Sequence, residues 1–165
     1  MHHIEERKIH LLYLNKMDWY SIRMFGLYSI FLCLSLLATA SSTMKDCSIG
    51  SHIGHIRTMT MDPAAPVAGG WAQITIDYDL DSDVTAGDAL YEGSFNGFPF
   101  VPTMNPLCPD FANTTSPCPL LLGPVYYQNW VQMGDGNIHG TLFASTTWND
   151  QNGAQILCWS FTVRF

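Results

Sequence analysis

The residues most able to do chemistry are few. His52-Ile53-Gly54-His55 could set two imidazoles on one metal ion. No carboxylate sits beside the pair on the same element, and Gly and Ser surround it, so it reads as a solvated loop rather than a ligand set. The run Asp77-Tyr78-Asp79-Leu80-Asp81-Ser82-Asp83, with Asp88 beyond it, has the acidic spacing of a calcium loop. Ser82 stands where such a loop needs glycine, Asp88 stands where it needs glutamate, and the flanks alternate as strands do. The run therefore reads as a charged strand face, which also discourages edge-to-edge pairing. There is no G-x-S-x-G elbow, and beyond residue 40 the histidines are only His52, His55 and His139. Neither an enzyme nor a bound metal is expected from such a set. Asn113-Thr114-Thr115 is an N-glycosylation sequon, which marks Asn113 as a modification site on an exposed loop of an exported chain.

Five cysteines occur, and their context decides their chemistry. Cys33 lies inside the longest apolar run, Met24 to Ala40, which follows Lys16 and Arg23 and ends in the small-x-small set Ala38-Thr39-Ala40. That run falls short of the roughly 20 apolar residues a membrane span needs, and its flanks are those of a secretory signal. Residues 1–40 therefore read as a cleaved signal peptide better than as an uncleaved anchor, with Met1, Met17 or Met24 as its start. The body is then 41–165, carrying Cys47, Cys108, Cys118 and Cys158. An even number in an exported chain reads as two disulfides, and no C-x-x-C pair exists to hold zinc. Three connectivities are possible. The one favoured closes the short proline-flanked loop with Cys108–Cys118 and ties the ends of the body with Cys47–Cys158.

The elements that must position these residues are strands. The chain has 165 residues, 13% charged and 47% hydrophobic, with a formal net charge of −7. Its body carries eleven Asp and Glu against three Lys and Arg, a net −8, which excludes a nucleic-acid binder and a polybasic membrane anchor. From Trp71 to Leu80, Ile74, Ile76, Tyr78 and Leu80 alternate with polar residues. From Gln155 to Phe165, Leu157, Trp159, Phe161 and Val163 share one parity. Such a period of two marks half-buried strands. Ile138 to Trp148, His55 to Met61, Val84 to Phe95 and Val125 to Met133 bring the count to about seven. Turns at Pro63–Pro66, Gly69-Gly70, Gly134–Gly136 and Asp150–Gly153 separate them, and no stretch carries a capped helical period. The spacing predicts one all-β domain, an immunoglobulin-like β-sandwich.

One segment departs from this pattern. Phe95 to Pro124 holds seven prolines, two cysteines and almost no charge. Each proline removes a ladder donor, so the segment cannot be a central strand. It is too apolar for an ordinary solvated loop, and it reads either as a strap stapled over the core or as the rim of an apolar cavity.

The order of these pieces points further. An early Cys47 precedes the turn Asp62-Pro63-Ala64-Ala65-Pro66-Val67-Ala68-Gly69. Asn96-Gly97-Phe98-Pro99-Phe100-Val101-Pro102 then leads to Cys108 and Cys118-Pro119-Leu120, followed by Tyr126-Tyr127 and by Asp150-Gln151-Asn152-Gly153 ahead of Leu157-Cys158-Trp159-Ser160-Phe161-Thr162-Val163. From Cys47 to Phe165 this set resembles the MD-2-related lipid-recognition (ML) domain family, with its Niemann-Pick C2-like and phosphatidylglycerol/phosphatidylinositol transfer protein-like branches. The resemblance implies a sandwich with an apolar lipid cavity between its sheets and the same two disulfides. In such a cavity Phe98, Phe100, Val101 and Pro102 form the rim by position, Phe100 resembling a cavity-lining phenylalanine of the sterol branch. Tyr126 or Tyr127 resembles an aromatic near that branch's tunnel mouth, and Trp159 and Phe161 share the inward parity of the last strand, so these eight are the expected lipid-binding residues. The implied function is transfer of a sterol or phospholipid between membranes, or to a membrane lipid-transfer receptor. The alternative is a lipid-presenting accessory to a receptor ectodomain. A monomer in the secreted or lysosomal/vacuolar compartment is implied, with lipid as cargo and no cofactor. The sterol branch carries an extra disulfide in the turn after its second strand. Asp62 to Gly70 has no cysteine, so the identity of the lipid stays open.

Overall fold

The computed structural model describes residues 42–165, Asp135 excepted. The signal-peptide assignment to 1–40 falls outside these residues. The elements run β1 (Ser42–Asp46), β2 (Gly54–Asp62), β3 (Trp71–Leu80), β4 (Gly87–Phe95), β5 (Phe98–Pro99), β6 (Thr103–Pro106), α1 (Leu107–Phe111), β7 (Gly123–Gln132), β8 (Thr141–Asp150) and β9 (Gln155–Arg164). One sheet has the order β1-β9-β8-β4-β5, with β6 also paired to β4, and the other is β2-β3-β7. All pairings between these strands are antiparallel. The expected all-β, immunoglobulin-like sandwich is the fold.

Alternation builds the interior. Every second residue of β3 (Ala72, Ile74, Ile76, Tyr78 and Leu80) is buried against the other sheet, which contributes Ala89, Trp148, Leu157 and Val163. The hairpin between β8 and β9 forms where Asn152-Gly153 predicts it. Asp150 Oδ1 accepts from the Asn152 and Ala154 amides, both at 2.8 Å, and Gly153 takes φ 79°, which glycine adopts without penalty. β9 is buried without a break from Ile156 to Phe161, because its second face is covered as well. The Ile53 and Cys47 amides donate to the Gln155 and Cys158 carbonyls there, at 2.9 and 3.0 Å. The disulfides are Cys47–Cys158 and Cys108–Cys118, the connectivity favoured from the sequence.

Four expectations need correction. Among the described residues there are nine strands rather than about seven. β1 is too short to show a period, and β5 and β6 are edge pieces within the proline-rich segment, where a missing ladder donor faces outward. The segment also holds α1, a five-residue turn of helix too short for the periodicity that reveals helices. The strand expected over 138–148 begins at Thr141 and continues to Asp150. The strand expected from Val84 begins at Gly87, and Val84 instead makes an isolated bridge to Leu120.

The acidic run is dispersed by its strand geometry. Asp77 and Asp79 stand on the same face as Arg57 and both pair with its guanidinium. Asp81 Oδ2 lies 2.8 Å from His55 Nε2, and Asp83 accepts from the Leu122 amide at 2.7 Å. Among the described residues no three His, Cys, Asp or Glu side chains converge as a metal site would require.

Candidate functional site

One end of the sandwich interior is filled and the other is not. In the filled part Trp148 meets Tyr127 and Phe111 edge-on, each at a centroid distance of 4.8 Å, and Tyr78 lies 6.2 Å away. Such tilted and edge-to-face pairs add stabilisation beyond the area they bury. Phe111 comes from α1, which is held to β4 because Tyr91 Oη donates to Asp110 Oδ2 at 2.8 Å and Asn105 Nδ2 donates to the same oxygen at 3.3 Å. The proline-rich segment thus contributes to the core as well as to the surface.

Beyond this aromatic end lies a cavity of about 290 Å3. Its walls follow from cross-strand register. The row Ala89, Trp148 and Leu157 belongs to the filled end. The next row of the same face is Tyr91, Thr146 and Trp159, and the one after it is Gly93, Ala144 and Phe161. These two rows line the cavity, with Val131 of β7 among its other walls. The space exists because two of the six positions have little or no side chain. Gly93 also admits the rim: a Cβ there would lie 3.1 Å from the Phe100 ring and 2.7 Å from the Phe143 carbonyl oxygen. The Phe100 amide donates to the Gly93 carbonyl at 2.8 Å, folding the Phe98–Val101 strap back over β4. Phe100 and Val101 are 50% and 87% exposed, whereas Trp159 and Phe161 are each 5% exposed, so the cavity deepens from the strap toward β9.

The eight residues proposed from the sequence divide evenly. Phe100, Val101, Trp159 and Phe161 come together as cavity walls. Phe98, Pro102, Tyr126 and Tyr127 do not line it. Phe98 is 77% exposed, on the outer part of the strap, and Pro102 is exposed beside it. Tyr126 points to the outer face of β7, and Tyr127, on the inner face, belongs to the aromatic core with Phe111. Sequence reasoning missed Tyr91, Glu92, Gly93, Thr103, Val131, Ala144, Ser145 and Thr146 as walls. Ala144 and Val131 carried a signal in the parity of their strands, and Gly93 carried none. Asn113 is exposed in the loop after α1.

Burial pushes the Tyr78, Tyr91 and Tyr127 phenols up, and the hydrogen bond to Asp110 adds to the rise at Tyr91. A raised folded-state pKa means that the folded state holds its proton more tightly than the unfolded chain. The stability these phenols contribute is complete below the ordinary value of about 10 and is lost as pH climbs from there toward the folded values. The urea midpoint should therefore stay level through neutral pH and fall above about pH 10. A midpoint unchanged at about pH 11 would contradict the burial assigned to these side chains.

A two-sheet sandwich held open over an apolar cavity defines a small-ligand-binding β-domain rather than a filled structural one. A family model described as the ML domain matches residues 41–165, and the chain belongs to that family. A Dictyostelium discoideum protein named for phosphatidylglycerol/phosphatidylinositol transfer is 24% identical over 110 residues, which is 64% of this chain and 72% of that protein. Two solved structures share the fold. A Niemann-Pick type C2 protein from the Japanese carpenter ant gives a TM-score of 0.53 at 18% identity, covering 73% of this chain and 96% of that one. Chicken MD-1 complexed with lipid IVa gives 0.57 at 18% identity, covering 76% and 90%.

Proposed function

We propose that this protein is a non-catalytic lipid carrier that holds one apolar ligand, a sterol or the acyl part of a phospholipid, between its sheets. The observation that carries this reading is the cavity behind Phe100, walled by Trp159, Phe161, Val131 and Ala144. Each square ångström of apolar ligand surface withdrawn from water there gains about 25 cal/mol, and no nucleophile is needed. Membership in the ML domain family, whose relatives bear lipid-transfer and lipid-complex names, supports the same reading. The two disulfides fit an extracellular or lumenal compartment, and Asn113 is then open to a glycan. The carrier acts as a monomer that meets membranes or a membrane receptor transiently.

Binding of a fluorescent sterol and a fluorescent phospholipid, with transfer of each between vesicles, tests the proposal. Phe100→Ala separates rim from core. A buried phenylalanine costs about 3–5 kcal/mol of stability on truncation. Half-exposed Phe100 should cost well below that range, yet lipid binding should weaken markedly. Should Phe100→Ala bind both probes as the unaltered protein does, the strap is not the rim.

A further inference from the structure

The outer face of the three-stranded sheet carries a pattern that the lipid cavity does not use. Cross-strand register sets Trp71 beside Gln132, Gln73 beside Trp130, Thr75 beside Gln128 and Asp77 beside Tyr126. Trp71 and Trp130 are each 57% exposed and Tyr126 is 49% exposed, on the face where alternation otherwise places polar residues. The two indoles are diagonal neighbours, and Tyr126 lies four residues before Trp130 on β7, about 13 Å away at the rise of a strand. Between them stand Gln73, Thr75 and Gln128, whose side chains can both donate and accept hydrogen bonds. A single exposed apolar residue needs no explanation, but three aromatic rings gathered on one face mark a contact surface.

Backbone and charge decide what kind of partner fits. Strand addition along the β7 edge is obstructed, because the Thr115 and Ser116 hydroxyls donate to the Tyr126 carbonyl at 2.6 and 2.7 Å and the Trp130 amide donates to Asn129 Oδ1 at 2.8 Å. The partner must therefore lie on the face. Among the described residues the cation of this face is Arg57, and Asp77 and Asp79 already engage it. With Asp62 beside Gln73 the face is net negative, which disfavours an anionic partner. A second copy laid face to face would set these carboxylates against their like. A basic peptide would meet carboxylates only at the border, since the row Thr60, Thr75 and Gln128 between the rings holds no charge. A purely apolar partner would bury those amide and hydroxyl groups unpaired. The chemistry that answers every row is neutral, rich in hydroxyls and apolar on its ring faces. Sugars have it: the C–H bonds of a pyranose face stack on an aromatic ring, and the hydroxyls around its edge bond to amides and hydroxyls.

We propose that the outer face of β2-β3-β7 binds a neutral β-linked polysaccharide chain of glucose or N-acetylglucosamine. Its sugar rings stack on Trp71, Trp130 and Tyr126, and Gln73, Thr75 and Gln128 bond to the hydroxyls between them. The distance from Tyr126 to the indoles asks for an extended chain rather than a single sugar, and a sheet face suits linkages that keep the rings in a flat ribbon. Val131, which lines the lipid cavity, points to the opposite side of the same strand, so glycan and lipid bind independently.

Calorimetric titration of the purified protein with cellohexaose and chitohexaose tests the site. Trp71→Ala and Trp130→Ala should each weaken binding at least about fivefold, and the double variant should abolish it. Half-exposed rings on a sheet surface add little to folding, so the urea midpoint and fluorescent-lipid binding should stay as in the unaltered protein. Tyr126→Ala provides a third variant on a different part of the face, with the same expected loss. Anionic oligogalacturonate should bind at least about tenfold more weakly than either hexaose. Failure of both hexaoses to bind would overturn the proposal, as would equal binding of the galacturonate or binding unchanged in all three variants. Concentration-dependent dimerisation that Trp130→Ala removes, without glycan binding, would overturn it in favour of a second copy on this face.

Discussion

Replacing Cys47 and Cys158 together by alanine should lower the unfolding free energy by about 4–5 kcal/mol, and replacing Cys108 and Cys118 together should lower it by no more than about 3 kcal/mol. The first pair is separated by 111 residues and the second by 10, so the first bridge removes far more freedom from the unfolded chain. The native side points the same way. Cys158 sits within β9, the strand buried on both faces, and its bridge fastens the segment that covers the second face. A domain of this size has about 5–15 kcal/mol in all, so losing the long bridge should leave it close to its folding limit. Urea unfolding of both double variants measures the difference. Equal losses would show that the long loop is already restricted in the unfolded chain, or that the short bridge supports more of α1 than its position suggests.

The second large effect should fall on binding rather than folding. Ala144→Phe would place a ring in the cavity from the middle of β8, where Ala144 faces open space between Gly93 and Phe161. Each methylene of ligand displaced forfeits about 0.8 kcal/mol, so excluding four costs about 3 kcal/mol, roughly a hundredfold in affinity. Filling existing space, in contrast to overpacking a tight core, should leave the urea midpoint at or above its starting value. Sterol or phospholipid affinity within about threefold of the unaltered protein would show that the bound lipid does not occupy this chamber.

How much of this was legible in the residues follows from what a side chain can signal. The alternation in Trp71–Leu80 and the shared parity of Leu157, Trp159, Phe161 and Val163 declared the strands and their inner faces. Period two also required Tyr126 and Tyr127 to face opposite ways, but it could not say that Tyr127 falls in the half of the sandwich occupied by Trp148 and Phe111. Phe98 and Phe100 are two apart yet differ in role, because the strap turns back on β4 through the Phe100–Gly93 hydrogen bond, a tertiary event with no local signature. Gly93 and Ala144 create the space by lacking atoms, and a missing side chain leaves no hydrophobic pattern to read. The strands β5 and β6 and helix α1 are each too short for a period and were concealed by the prolines around them.

Trp148, Tyr127 and Phe111 fill the sandwich interior beyond Trp159, and Phe100 and Val101 are the exposed part of the chamber wall at the strap. A carrier loaded and unloaded through the strap side alone would be a cul-de-sac. A second lipid could not then push the first out from behind, and unloading would have to finish before loading starts. Turnover between two membranes would then follow a strict alternation of empty and filled protein. Its pace would be set by how quickly a lipid backs out past Phe100, regardless of how much fresh cargo waits outside.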